Sequence, residues 1–166
     1  MQSTQNFYLF IKIMITNTSK HCVAVGKHYG KLRELARQVK TSNKDAIEEA
    51  ACLMCEAVPN NSVLVPIPGH EGDATYTYLL AKAIADKRHV QVVDAIQGFR
   101  RESSHEAKLK GRCINSQVWF YKIENISEGS NIIFIDNVVA TGRTCQAARH
   151  ALGDRGTTLS ITIADY

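Results

Sequence analysis

Long apolar runs are the first thing this sequence lacks. No stretch of its 166 residues approaches the roughly 20 apolar residues that a membrane-spanning helix needs, so such a helix is excluded. The most apolar candidate, residues 7–15, is interrupted by Lys12. It has neither a basic stretch before it nor a small-residue cleavage site after it, so no secretory signal and a cytoplasmic location are expected. Low-complexity tracts, internal repeats and linker-like segments are also missing, which leaves one domain, 1–166, long enough to bury a substantial core. The cysteines are five, an odd number at scattered spacings, which excludes an ordinary disulfide framework. Cys52 and Cys55 form a CxxC, but no second CxxC exists to complete a four-ligand zinc site, so reduced structural thiols are expected. Acidic residues fall short of basic ones, 16 against 20, giving a net charge of +4 and a pI near 8.8. The basic excess gathers in residues 20–40 and 100–112. It suits a solvated surface, phosphorylated ligands or nucleic acid alike.

What is present begins with an N-terminal region, 1–61, that is the least readable part. Residues 7–15 and 23–25 have strand composition. Leu32, Leu35, Ala36 and Val39 recur at i, i+3, i+4 and i+7, which predicts a short amphipathic helix with Lys31, Arg33 and Arg37 on its wet face. Ser42 followed by Asp45 resembles a capping box, and Ile47, Ala51, Met54 and Val58 continue a second helix to the break at Pro59.

From Ser62 the pattern alternates strand and helix, the signature of an α/β core over 62–166. Val63, Leu64 and Val65 make a strand, residues 68–72 a loop with two glycines, and Asp73 is placed to cap a helix whose apolar face is Leu79, Leu80, Ala83 and Ile84. Residues 89–95 read as the next strand. Residues 98–112, basic and poor in apolar side chains, form a long loop of the kind that is functional or mobile. Residues 117–123 are β-rich; Trp119 and Tyr121 there are expected to pack in the core or at an edge, although a role in stacking on a base stays open. A terminal strand alternates Leu159, Ile161 and Ile163 with Ser160, Thr162 and Ala164, as a half-buried strand does.

The most informative stretch is residues 132–144, IIFIDNVVATGRT. A buried strand ends in Asp136, a short turn follows, and Thr141-Gly142-Arg143-Thr144 opens a helix. The first N–H groups of a helix have no partner within it, and the helix dipole adds positive charge there, so the turn suits an anion. Gly142 lets the backbone approach the ligand, Thr141 and Thr144 supply hydroxyl donors, and Asp136 accepts from sugar hydroxyls. These features together point to a sugar phosphate. In an open α/β sheet the glycine loop at 68–72 would face the same crevice, and two phosphate cradles suit a sugar phosphorylated at both ends.

This motif resembles the signature that binds 5-phosphoribosyl 1-pyrophosphate (PRPP) in type I phosphoribosyltransferases, and the competence-associated members of that family are a good comparison. The resemblance implies an α/β fold, a doubly wound, mostly parallel twisted sheet with helices on both faces and a small N-terminal hood. It implies transfer of ribose 5-phosphate from PRPP to a nitrogenous base with release of pyrophosphate, dependent on Mg2+ held mainly by PRPP with Asp136 nearby. The implied catalytic set is Asp136, Asn137, Arg100 and Arg101. Ala140, Thr141, Gly142, Arg143 and Thr144 would bind the 5-phosphate. Pro68, Gly69, His70, Glu71 and Gly72 would bind the pyrophosphate, with Lys108 and Lys110 reaching it from a mobile lid. A homodimer is implied by resemblance alone. Two positions depart from the commonest form. Asn137 stands where a second acid is usual, and Ala140 argues against a 6-oxopurine acceptor. The alternatives are a non-catalytic PRPP- or nucleotide-sensing protein of the same fold and, last, a nucleic-acid-associated protein.

Overall fold

The computed structural model describes residues 16–19, 21–111 and 118–164. The strand expected at residues 7–15 lies outside them.

Among the described residues the backbone of the fold is a six-stranded sheet in the order β1-β2-β8-β7-β3-β4. Its strands are β1 (Thr16–Ser19), β2 (Cys22–Lys27), β3 (Ser62–Pro66), β4 (Gln91–Val92), β7 (Asn131–Val139) and β8 (Thr157–Ile163). Only β1 runs antiparallel to its neighbour; β2-β8-β7-β3-β4 are all parallel. A separate antiparallel pair, β5 (Ile96–Gly98) and β6 (Phe120–Lys122), stands beside the sheet. The helices are α1 (Gly30–Lys40), α2 (Lys44–Met54), α3 (Thr75–Arg88), α4 (Ser104–Leu109) and α5 (Arg143–Ala151).

Strand β7 explains the layering. Successive side chains of a strand point to opposite faces. Ile133 and Ile135 therefore join Leu35, Val39, Met54, Leu80 and Ile84 under α1, α2 and α3, while Ile132 and Phe134 join Ala148 of α5 and Leu152, which caps that helix, on the other face. A parallel sheet buried on both faces needs apolar residues at both parities, which is why residues 132–135 form an unbroken apolar run. The α/β class, the mostly parallel sheet and helices on both faces agree with expectation. The described part of region 16–61 supplies two strands of this sheet and two helices of the layer on one face.

Four local expectations are corrected. The second helix is capped by Asn43, whose side chain accepts from the Ala46 N–H at 3.0 Å. Ser42 cannot serve, because it takes a left-handed turn, φ 59°, as the chain leaves α1. Asp73 does not cap α3: the N-cap is Ala74, without a side-chain bond, and Asp73 Oδ1 accepts from Gln97 instead. The buried face of α3 is Thr77, Leu80, Ala81, Ile84 and Ala85, leaving Leu79 exposed. The terminal strand β8 is not half-buried. It lies between β2 and β7, and Thr158, Ser160 and Thr162 are fully buried because helices cover both faces of the sheet there. Two of their hydroxyls are partnered, Ser160 Oγ donating to the Thr162 carbonyl at 3.0 Å and Thr162 Oγ1 lying 2.7 Å from His28 Nδ1, whereas Thr158 Oγ1 is buried without a hydrogen-bond partner among the described residues.

Among smaller differences, the strand expected over 89–95 is only Gln91–Val92, after which the chain leaves the main sheet. Trp119 and Tyr121 are exposed rather than packed away, and Tyr121 stacks at 5.3 Å on Phe99.

Candidate functional site

Parallel strands deliver their carboxyl ends to one side of the sheet, and the ends of β2, β7 and β3 meet there around a cleft of about 780 Å3. Its floor is the last half of β7. Asp136 and Asn137 are both buried, and alternation sends them to opposite faces. Asp136 Oδ1 accepts from the Asn137 backbone N–H at 2.7 Å. Burial pushes the Asp136 carboxyl up to about 7, against the opposing pull of that N–H and of Arg101. Asn137 turns the other way, and its Nδ2 donates to the Ala36 carbonyl of α1 at 3.3 Å. A carboxylate in its place would face that carbonyl with no proton to give.

Beyond β7 the chain turns through Ala140, Thr141 and Gly142 into α5. Gly142 adopts φ 77°, which only glycine takes at no cost, and as N-cap it offers no side-chain bond to the first turn of the helix. The Gly142 carbonyl already accepts from Gln146, while the side chains of Thr141, Arg143 and Thr144 line the cleft.

The second cradle follows β3. The Ile67 N–H donates to the Ile135 carbonyl at 3.0 Å, and Thr77 Oγ1 donates to the Ile67 carbonyl at 2.7 Å, so the loop is fixed to both β7 and α3. Within it the Gly69 N–H donates to the Asp73 carbonyl and the Gly72 N–H to the Gly69 carbonyl. Pro68, Gly69 and His70 line the cleft; Glu71 and Gly72 do not. Glu71 instead pairs with His70 at 3.0 Å and with Arg100 at 3.2 Å on the outside.

The basic segment after β5 is rooted on that loop. The Arg101 N–H donates to the His70 carbonyl at 2.7 Å, its guanidinium donates to the Gly69 carbonyl at 3.1 Å and lies 5.5 Å from the Phe120 ring centre. Burial lowers the Arg101 pKa, while Tyr76 and Asp136 hold the charge in place. The segment then forms the short helix α4, closed by a capping box between Ser103 and Glu106. Of its cations, Arg101 and Lys108 line the cleft. Arg100 stays outside, 79% exposed, and Lys110 is paired with Glu102 at 2.9 Å. The end of the basic stretch at Arg112, and Gln117 of the β-rich segment, lie outside the described residues.

Asp136, Asn137, the turn 140–144, Pro68, Gly69, His70, Arg101 and Lys108 therefore come together, and Arg100, Glu71, Gly72 and Lys110 do not. Sequence reasoning missed Tyr76, half-buried on the cleft wall, whose hydroxyl pKa is raised by burial and by the charge of Asp136, and it missed the α1 wall. His28, Arg33, Arg37 and Lys40 line the cleft; Arg33 and Arg37 are exposed, as expected of the wet face of α1, and that face borders the cleft. The i, i+4, i+7 spacing of 33, 37 and 40 was the available signal, since it marks one side of a helix as surely in cations as in leucines. Among the described residues no group of three or more His, Cys, Asp and Glu side chains could hold a metal ion, and no helix is long and apolar enough to cross a membrane. Cys52 and Cys55 stay within helical backbone, with Cys55 Sγ donating to the Cys52 carbonyl.

Among solved structures, the chain is similar to the adenine phosphoribosyl transferase of Trypanosoma brucei in complex with AMP, pyrophosphate and ribose-5-phosphate. The TM-score is 0.53 at 11% identity, covering 90% of this chain and 86% of that one. It is also similar to the adenine phosphoribosyltransferase of Leishmania donovani, with a TM-score of 0.49, 10% identity and coverage of 91% and 86%. A third similar structure is the hypoxanthine phosphoribosyl transferase of Trypanosoma cruzi, with a TM-score of 0.42, 20% identity and coverage of 77% and 64%. The first likeness establishes the fold. No family model matches the chain, and no curated protein matches it in sequence.

Proposed function

We propose that this chain binds PRPP with Mg2+ and transfers its ribose 5-phosphate to a nitrogenous base, releasing pyrophosphate. The observation that carries the reading is that two anion-suited loops, after β7 and after β3, face one cleft across the buried carboxyl of Asp136. The resemblance of residues 132–144 to the PRPP signature and the shared fold support it. Within the family we place the chain near the competence-associated members.

In this reading the first-turn N–H groups of α5, with Thr141 and Thr144, hold the 5-phosphate. Pro68, Gly69 and His70, with Arg101 and Lys108, hold the pyrophosphate. Asp136 accepts from a ribose hydroxyl and orients the sugar. Asp136 also fits Mg2+, which is commonly bound by one or two carboxylates together with substrate phosphates, and a buried carboxyl with a pKa near 7 gains from a cationic neighbour. When bound, the ion would neutralise charge on the departing pyrophosphate. The protein's own share is positioning, exclusion of water by the basic segment, and electrostatic stabilisation of a cationic sugar.

Calorimetry with PRPP and Mg2+ tests this: saturable binding is expected, weakened at least about tenfold by Asp136→Ala or Thr141→Ala, a loss of roughly one charged hydrogen bond. Absence of binding by the unaltered protein ends the proposal. A second reading, PRPP or nucleotide sensing without turnover, is favoured by Asn137, whose amide is committed to α1 and brings no charge to the sugar. Pyrophosphate release in a screen of nucleobases decides between them.

A further inference from the structure

Placing PRPP on the two loops accounts for the β7 and β3 ends of the cleft; the α1 wall anchors the Asn137 amide and its Lys40 favours the charged form of Asp136, but no ligand is assigned to its cations. That wall is cationic. Arg33, Arg37 and Lys40 lie on one side of α1 and all line the cleft. Arg37 has a partner in Glu34 at 3.0 Å, on its own helix. The carboxylates lining the cleft are Asp136 and Glu102, and Glu102 already accepts from Lys110 at 2.9 Å. Like charges three and four residues apart on a helix repel, and since Glu34 offsets Arg37, the charge that a facing anion would relieve is that of Arg33 and Lys40. The turn after β7 and the loop after β3 take the phosphates of PRPP, and the strand order sets the end of β2, with His28 and α1, on the far side of β7 from the β3 loop. The space on that side is where a second substrate has room.

We propose, resting on the PRPP reading, that the acceptor is a heterocyclic base carrying its own carboxylate, held by Arg33 and Lys40 of α1. The ring nitrogen gives its lone pair to the anomeric carbon as the carbon–oxygen bond to pyrophosphate breaks. Pyrophosphate leaves with the electron pair of the broken carbon–oxygen bond, and any proton on the nitrogen goes to solvent. The carboxylate takes no part in bond making; it selects and orients.

The test uses heteroaromatic carboxylates and their carboxamides in the pyridine, pyrimidine and imidazole series, pairs that differ in charge with little change in shape. Each is titrated calorimetrically into the full chain saturated with ribose 5-phosphate and magnesium pyrophosphate, after PRPP binding itself has been measured. In at least one series the carboxylate should bind about tenfold or more tightly than its carboxamide, the worth of a charged hydrogen bond. The Arg33→Gln, Lys40→Gln double variant, held saturated with ribose 5-phosphate and magnesium pyrophosphate so that weaker long-range attraction of PRPP does not enter the comparison, should lose that preference. If PRPP binds and no carboxylate is preferred, the acceptor proposal fails and the PRPP reading stands. A double variant that loses PRPP affinity but keeps a carboxylate preference would assign α1 to PRPP and overturn the proposal. Failure of PRPP to bind removes both.

Discussion

At the scale of single residues, Asp136 carries the most consequence. Its place was legible, because an apolar run that ends in an acid shortly before a Thr-Gly turn reads as the end of a strand facing the start of a helix. What could not be read was its environment, since burial depends on α5, on the β3 loop and on Arg101, all distant in sequence. The same holds for Asn137, whose departure from the commoner acid has a physical reason only once Ala36 is seen opposite it. The folded carboxyl titrates near 7 and its ordinary value is 3.8. Between those values the folded state holds a proton that the unfolded chain has lost, so stability falls as pH rises through that window and stays reduced above it. Asp136→Asn removes the penalty and keeps an acceptor for the Asn137 N–H. The variant should be more stable than the unaltered protein at pH 8 by on the order of 2–4 kcal/mol, with the gap closing toward pH 4. Denaturant melts at the two pH values check this; an equal gap at both would mean that ionisation of Asp136 is not its source.

At the scale of elements, the β3 loop and the root of the basic segment behave as one unit. The Gly98 N–H donates to the Gly72 carbonyl at 3.0 Å, and Arg101 bonds to both His70 and Gly69. Gly72 makes the close approach possible: it sits at φ 98°, and a Cβ there would lie 2.7 Å from the Gly98 carbonyl oxygen. Gly72→Ala should therefore cost about 2–4 kcal/mol, from strain plus a backbone clash, and should weaken PRPP binding although the residue does not line the cleft. A thermal melt paired with calorimetry would show both effects; a variant of unchanged stability would refute the coupling. The loop itself was readable from its glycines, while the contact with Gly98 was not, because nothing in local composition pairs two glycines across a turn and a helix. Helix starts misread for a similar reason. Ser42 and Asp73 are good caps by type, but the departing turn of α1 and the bond to Gln97 take them, and the next residues start the helices. In β8, alternation suggested a wet face because Ser and Thr are polar, whereas hydroxyls that bond locally are content inside a sheet covered on both sides.

At the scale of the whole molecule, topology does what sequence distance conceals. The basic stretches at 20–40 and 100–112 looked like separate surface features, and charge alone left nucleic acid, phosphates and plain solvation as equal readings. The order β2-β8-β7-β3 brings the end of β2, and with it α1, to the same crevice as the β3 loop to which the second stretch is rooted. Arg33, Arg37, Lys40, Arg101, Lys108 and Arg143 thus share one concave surface, on which Asp136 and Glu102 are the carboxylates among the described residues. Like-signed charges in a cleft reinforce one another and raise the local concentration of a polyanion, more than the net charge of +4 suggests. The effect acts over distances that salt screens, since the Debye length shrinks from about 10 Å at 0.1 M salt to about 3 Å at 1 M. PRPP affinity should consequently fall by roughly tenfold between about 0.05 M and about 0.5 M sodium chloride, chiefly through slower association. A Lys108→Gln variant, which removes one charge of the lining, should show a shallower dependence. Stopped-flow association rates across that salt range measure it, and a rate indifferent to salt would mean that the cations act only by contact.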